Sequence, residues 1–160
     1  MKKSTLILLA ALVAGAVLIS QIQSTENNVL TASTPEPIKK YSLSISDKNI
    51  LVELADTPEK KALGLGERDS LPKEEGMLFI YEQKTPSVFW MKGMRFPLDI
   101  IWIADGKVAQ IDANVPHEPG VSDYNLKRYI SNQPVDSVLE VNAGFAEEHN
   151  IQIGDTVTLR

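Results

Sequence analysis

The chain contains no cysteine. That one absence excludes disulfides, thiolate zinc sites, a cysteine nucleophile and lipidation on cysteine. Histidine is nearly as scarce: His117 and His149 are the only two, and they do not have the spacing of a zinc site. No glycine-rich phosphate loop, Gly-x-Ser-x-Gly elbow or His-Glu-x-x-His pair occurs, and no serine is singled out as a nucleophile. No cofactor is therefore expected. Long basic runs are missing as well. The formal charge is −5, and without Lys2 and Lys3 there are 14 basic residues against 21 acidic ones. This balance lacks the footprint of a nucleic-acid binder and argues against docking of the domain itself on anionic lipid.

What is present divides the 160 residues into three parts. Residues 1–24 read as an export signal or an uncleaved membrane anchor. Lys2 and Lys3 precede an unbroken run of apolar and small residues from Leu6 to Ile19, within the usual span of a signal-peptide core. Extended to Ile22 the run would reach about 26 Å as a helix, slightly short of a bilayer core of ~30 Å. No clean cleavage site follows, which favours the anchor. In either case the two lysines stay in the cytoplasm and the domain lies outside it, on the outer face of the cytoplasmic membrane, periplasmic or extracellular. Residues 25–40 are polar, with Thr34-Pro35-Glu36-Pro37 at their centre, and read as a flexible tether. Residues 41–160 form a single domain.

Within that domain, apolar and polar residues alternate from Tyr41 to Ile45, and a turn at Asp47 to Asn49 leads to a second strand at Ile50 to Leu54. Asp56 or Thr57, followed by Pro58 and Glu59, starts a short helix that Gly64 and Gly66 stop. Strands follow at Met77–Tyr81 and Val88–Met91, joined by a polar linker at 82–87. Leu98–Ala104 is apolar on both faces and thus central. Asp105-Gly106 is a strong hairpin signal, with Lys107–Val115 as the returning strand. Pro116 to Gln133 is a long irregular loop, a length more typical of lids than of plain connectors. Ser137–Val141 is a strand, Ala143–His149 a short helix ending at Asn150, and a last strand closes the chain. About eight short strands and two short helices predict a mainly β domain, a β-sandwich-like fold or a partly open barrel.

The ordered segments Gly76-Met-Leu-Phe79, Phe89-Trp-Met-Lys92, Pro97-Leu-Asp-Ile100 and Val138-Leu-Glu140 with Ala143-Gly144 carry a resemblance. Together with Gly64-Leu65 and Gly154-Asp155 they resemble domain-of-unknown-function family 192, over about Ile50 to Arg160. The resemblance implies a compact β-rich domain, often behind a signal peptide or anchor, with no agreed activity and no catalytic residues to carry over. The chain departs from the family's usual pattern at two places. Gly66 stands where family members usually have Met, and Gly93-Met94 stands where they usually have Asn and Thr. If those positions touch a ligand, its preference would differ here.

The densest apolar and aromatic stretch, Gly76 to Ile103, also holds Lys92, Arg95 and Asp99. Trp90, Lys92, Arg95 and Asp99 are the expected lining of a ligand cleft, with the 116–133 loop over its mouth. Asp99 heads an apolar strand, where it is either a structural carboxylate satisfied by backbone donors or a cation, or a site group. Alternation sets Glu140 with Val138 and Asn142, opposite Leu139 and Val141. If it faced Asp99 across a cleft, the two would form the carboxylate pair of a glycoside hydrolase. Met91 and Met94, with His117, form a copper reading, since thioethers suit Cu(I). Against it stands the ordinary use of methionine as core filler. The leading expectation is a non-catalytic module that binds a small envelope ligand, glycan or protein partner. An Asp99/Glu140 hydrolase and a copper-handling protein are the alternatives.

Overall fold

The structure is a computed structural model that describes residues 38–160. Residues 1–24, read above as an export signal or anchor, and residues 25–37 of the stretch read as a tether fall outside the described residues. Among the described residues no helix is long and apolar enough to cross a membrane.

Among the described residues, nine strands and two short helices follow in the order β1 (Lys40–Ile45), β2 (Lys48–Ala55), α1 (Pro58–Leu63), β3 (Glu75–Thr85), β4 (Val88–Phe89), β5 (Leu98–Ala104), β6 (Lys107–Val115), β7 (Tyr129–Ile130), β8 (Val135–Asn142), α2 (Phe145–Glu148) and β9 (Val157–Leu159). Seven strands form one sheet in the order β6-β5-β8-β3-β2-β1-β9. All its pairings are antiparallel except β2–β3, the two strands joined through α1. β4 and β7 pair separately. The sheet's two edges meet at one corner, where Lys107 bridges Thr156 and the Val108 N–H donates to the Asp155 carbonyl at 2.9 Å. The result is mainly β, and of the two forms expected, a β-sandwich-like fold or a partly open barrel, it is the partly open barrel.

Local chemistry accounts for the turns. Asp105 and Gly106 both have positive φ, the conformation a two-residue hairpin turn needs. The Thr57 hydroxyl caps α1 by accepting from the Lys60 N–H at 3.3 Å, Pro58 opens it, and Gly64 ends it at φ 54°. Asp56 does not cap; it pairs with Lys60 across one turn at 2.7 Å.

Alternation along the strands splits the apolar residues between the two faces. Leu43, Ile45, Val52, Leu78, Ile101, Ile103, Val108, Leu139 and Val141 pack together, with Phe145 and Ala146 of α2 against them. The strands on this face span the sheet from β1 to β6, so it is the inside of the curl. Met77, Phe79, Leu98, Ile100, Trp102 and Val138 occupy the opposite face, covered by Leu65, Leu71, Phe89, Met91 and Tyr129. β5 is buried on both faces and central, with Trp102 fully buried and its indole N–H donating to Asp112 at 2.7 Å.

Three details differ from expectation. The 82–87 stretch is mostly strand, because β3 continues to Thr85. The strand expected at Val88–Met91 shrinks to two residues and leaves the main sheet. Its partner β7 lies inside the 116–133 segment.

Candidate functional site

The outer face of the sheet holds a cleft of about 330 Å³. Its floor is β3 and β8, through Phe79, Tyr81 and Glu140. One wall is the end of α1 and the segment after it, Lys61 to Gly66; the other is β4 and the turn beyond it, with Val88 to Trp90, Lys92 and Met94. The walls join where Gly66 meets the turn. The Glu67 N–H donates to the Gly93 carbonyl at 2.9 Å, and a Cβ on Gly66 would stand 3.2 Å from the Lys92 carbonyl and 2.9 Å from that of Leu63. Both departures from the family's usual pattern therefore lie at this cleft, and they touch each other.

Alternation sets Glu140 opposite Leu139 and Val141, and since those two pack inside the curl, Glu140 faces outward. Glu140 lies beside Met77 of β3 on one side and Ile100 of β5 on the other. One strand further, Met77 pairs with Glu53 of β2. Two carboxylates thus flank one methionine, in contrasting surroundings. Glu53 accepts two hydrogen bonds from the Arg68 guanidinium, at 2.7 and 2.8 Å, which hold its carboxyl below the usual range. Glu140 is 5% exposed, and no hydrogen bond or ion pair from the described residues reaches its carboxyl. Burial alone pushes it up to about 8. An uncompensated carboxylate in apolar surroundings takes up a proton instead of remaining charged.

The rim carries cations, none of them on Glu140. Lys61 lies over the Tyr81 ring, 4.7 Å from its centroid, and Arg128 over the Trp90 ring at 4.3 Å. Lys92 pairs with Asp123 at 2.7 Å. Arg128 and Asp123 both belong to the 116–133 segment, so that segment reaches the rim. Trp90 is 44% exposed while its neighbour Phe89 is buried, edge-on to Phe79 and Trp102. Burial pushes the Tyr81 phenol up.

Of the residues expected to line a cleft, Trp90 and Lys92 do so, whereas Arg95 and Asp99 do not. Arg95 is exposed and pairs with Asp69. Asp99 is fully buried on the inner face, where its carboxylate accepts the backbone N–H groups of Asn114 (2.7 Å), Gly144 (3.1 Å) and Ala146 (2.8 Å). It fastens α2 and the end of β6 to β5. Glu140 is the group that takes the place expected of Asp99.

The carboxylate pair does not form. Asp99 pairs in register with Val141 and Glu140 with Ile100, so the two side chains leave opposite faces of the sheet. The copper set also disperses. Met91 and Met94 do end a turn, with the Met94 N–H donating to the Met91 carbonyl at 3.2 Å, but Met91 is 2% exposed and packed in the outer-face core. Only Met94 lines the cleft, and His117 does not. Among the described residues no three His, Cys, Asp or Glu side chains gather to hold a metal.

A curled, partly open barrel with a solvent-facing cleft on its outer face defines a class of small β domains. Within that class the family is shown: the model of domain-of-unknown-function family 192, described as an uncharacterized ACR, matches residues 41–159, and the chain belongs to it. Two crystal structures are similar. One, from Sinorhizobium meliloti 1021, carries the provisional description of a transcription regulator. It is 31% identical with a TM-score of 0.68, and the match covers 76% of this chain and 95% of that one. The other is a protein of unknown function from Novosphingobium aromaticivorans DSM 12444. It is 30% identical with a TM-score of 0.68, covering 78% of this chain and 89% of that one. The search of curated proteins returned no match.

Proposed function

We propose that this protein is a non-catalytic module that binds a small ligand, held outside the cytoplasm by its N-terminal segment. The observation that carries the binding role is Glu140: a carboxyl without a partner at the floor of an aromatic-walled cleft. Its carboxyl opens on the cleft and is not sealed into the core, so a group that enters can reach it without displacing a protein partner. A pocket lined mainly by apolar and aromatic side chains with few converging polar groups is the usual form of a small-molecule site. A glycan or a partner's side chain would use the same Trp90 edge, and Val88 and Ile130 beside it are also exposed. The cytoplasmic membrane is the partner of the N-terminal run, through Lys2, Lys3 and the apolar stretch that follows. The description carried by the S. meliloti structure finds no support in the charge of this chain, which is acidic and without a basic stripe.

A fragment screen on isotope-labelled full-length protein tests the binding role. Hits should move the Trp90 indole and the Gly64 and Gly66 amides together. Hits confined to other surfaces would overturn it. For the location, a phosphatase reporter that works only outside the cytoplasm, fused after Arg160, should be active; an inactive but intact fusion would contradict it.

A further inference from the structure

We infer that the ligand of this cleft is an organic amine, an ammonium on an apolar body, with its cationic group seated on the Glu140 carboxylate beside Gly64, Phe79 and Tyr81. The inference rests on the binding role proposed above and names the chemistry of the ligand.

Three observations converge on a cation. The first is the contrast between the two carboxylates that flank Met77. The fold supplies Glu53 with a two-pronged guanidinium, yet brings no donor to Glu140, which lines the cleft at 5% exposure. A carboxylate accepts hydrogen bonds and attracts positive charge, so a donor-bearing cation is the group that completes it. The second is the aromatic surround. The faces of Tyr81 and Trp90 attract cations, as Lys61 at 4.7 Å and Arg128 at 4.3 Å show, and an entering ammonium must displace these long side chains to use them. Cations over ring faces gain from the negative charge concentrated there, more so where water is excluded. The third is access. Gly64 has no side chain over the carboxyl, and a Cβ at that position would stand 4.0 Å from Glu140 Oε2 and 3.4 Å from the Phe79 ring. A volume of about 330 Å³ accommodates an amine with one aromatic ring.

The proton balance makes the proposal specific. Free Glu140 holds a proton at neutral pH, because burial has raised its affinity for one. An entering ammonium keeps its own proton and stabilises the carboxylate, so the carboxylic proton leaves to solvent, one per amine bound. The charged or titratable groups facing the site are Lys61 from α1, Lys92 from the turn after β4 with its partner Asp123, Arg128 over Trp90, Tyr81 from β3, and Glu53 with Arg68 on the far side of Met77. Burial raises the Tyr81 phenol away from neutrality and Arg68 holds Glu53 low, which leaves Glu140 as the group whose proton the ligand displaces.

The test is calorimetric titration of the full-length protein with three probes of one shape: phenethylamine, 2-phenylethanol and 3-phenylpropionate. At pH 8 the amine should bind at least tenfold more tightly than the alcohol or the acid. Its affinity should fall by close to tenfold per unit as the pH is lowered from 7 to 6, with one proton released per amine when buffers of different ionisation heat are compared. Glu140→Gln should abolish both the preference and the pH dependence. Equal or tighter binding of the alcohol or the acid, insensitive to Glu140→Gln, would overturn the amine while leaving the cleft as a binding site. Failure of all three probes to bind or to move the Trp90 indole would count against the amine and the cleft together. Should Glu140→Gln not fold, the pH dependence and proton count of the unaltered protein decide.

Discussion

Asp99 and Glu140 stand one register step apart on neighbouring strands and point to opposite sides of the same sheet. On the inner side, three backbone N–H groups converge on Asp99. On the outer side, none reaches Glu140. One carboxylate is consumed in holding the fold and the other is left for the cleft, and the difference arises only from which strand face each occupies.

Removing the Asp99 carboxylate should damage stability and spare the cleft. Asp99→Ala orphans three donors, the buried Ala146 N–H and the half-buried ones of Asn114 and Gly144, and loses charge-assisted hydrogen bonds worth ~1.5–3 kcal/mol each when made. Since lost bonds in one cluster do not add fully, the expected loss is about 3–5 kcal/mol in urea unfolding. Asp99→Asn, which keeps one acceptor oxygen, should lose less. A loss under about 1 kcal/mol for the alanine variant would contradict the structural role.

Glu140 should make the protein less stable as the pH rises. Its folded value, about 8, lies above the ordinary 4.5, so the native state binds the extra proton between those values. The stabilisation is complete below pH 4.5 and is lost as the pH rises through 8. At ~1.4 kcal/mol per unit, the whole effect is on the order of a few kcal/mol. Glu140→Gln should flatten that slope and be the more stable protein at pH 9. Parallel stability curves for the two proteins would refute this.

Local chemistry made much of this legible beforehand. The Asp105-Gly106 turn, the Pro58 helix start and the two-faced apolar β5 all follow from residue type and alternation. Alternation also places Glu140 correctly, opposite Leu139 and Val141. What alternation does not reveal is cover. The burial of Glu140 leaves no local mark because its neighbours in space, Gly64 to Gly66 and the Val88–Met94 turn, lie far away in the chain. For Asp99 the sequence leaves two readings open, a structural carboxylate and a site group, because the donors that decide for the first, Asn114, Gly144 and Ala146, come from two later segments and are backbone groups, which leave no mark in side-chain composition. β7 is too short, at two residues, to show a period at all.

The Glu53–Arg68 pair should behave as the mirror image of Glu140. Arg68 lowers the Glu53 carboxyl, so the pair stabilises above the ordinary 4.5 and its contribution fades as the pH falls through the lowered value. Arg68→Ala leaves a largely buried carboxylate without its partner. It should cost about 2–3 kcal/mol at pH 7, less than the full penalty for a wholly buried pair because Arg68 retains access to water. A thermal shift series with Arg68→Ala and Arg68→Lys checks it, with lysine recovering only part of the loss because it cannot match the two-pronged geometry.

At Gly66 the two walls of the cleft meet with no room for a side chain. Gly66→Ala places a methyl 2.9 Å from the Leu63 carbonyl, and backbone on both sides must give way. The expected cost is about 1–3 kcal/mol, accompanied by amide shifts at Glu67, Lys92 and Gly93 in a heteronuclear spectrum. An alanine variant of full stability, with those amides unmoved, would show that the walls are not locked together there.

The most direct check of the whole account is the ionisation of Glu140 in the ligand-free full-length protein, followed through its side-chain carboxyl carbon by NMR as the pH is raised. An unpartnered carboxyl on the cleft floor should titrate with a midpoint at about 8. A midpoint near the ordinary 4.5 would mean that Glu140 is solvated or already paired, and the cleft would lose the group on which its function is argued.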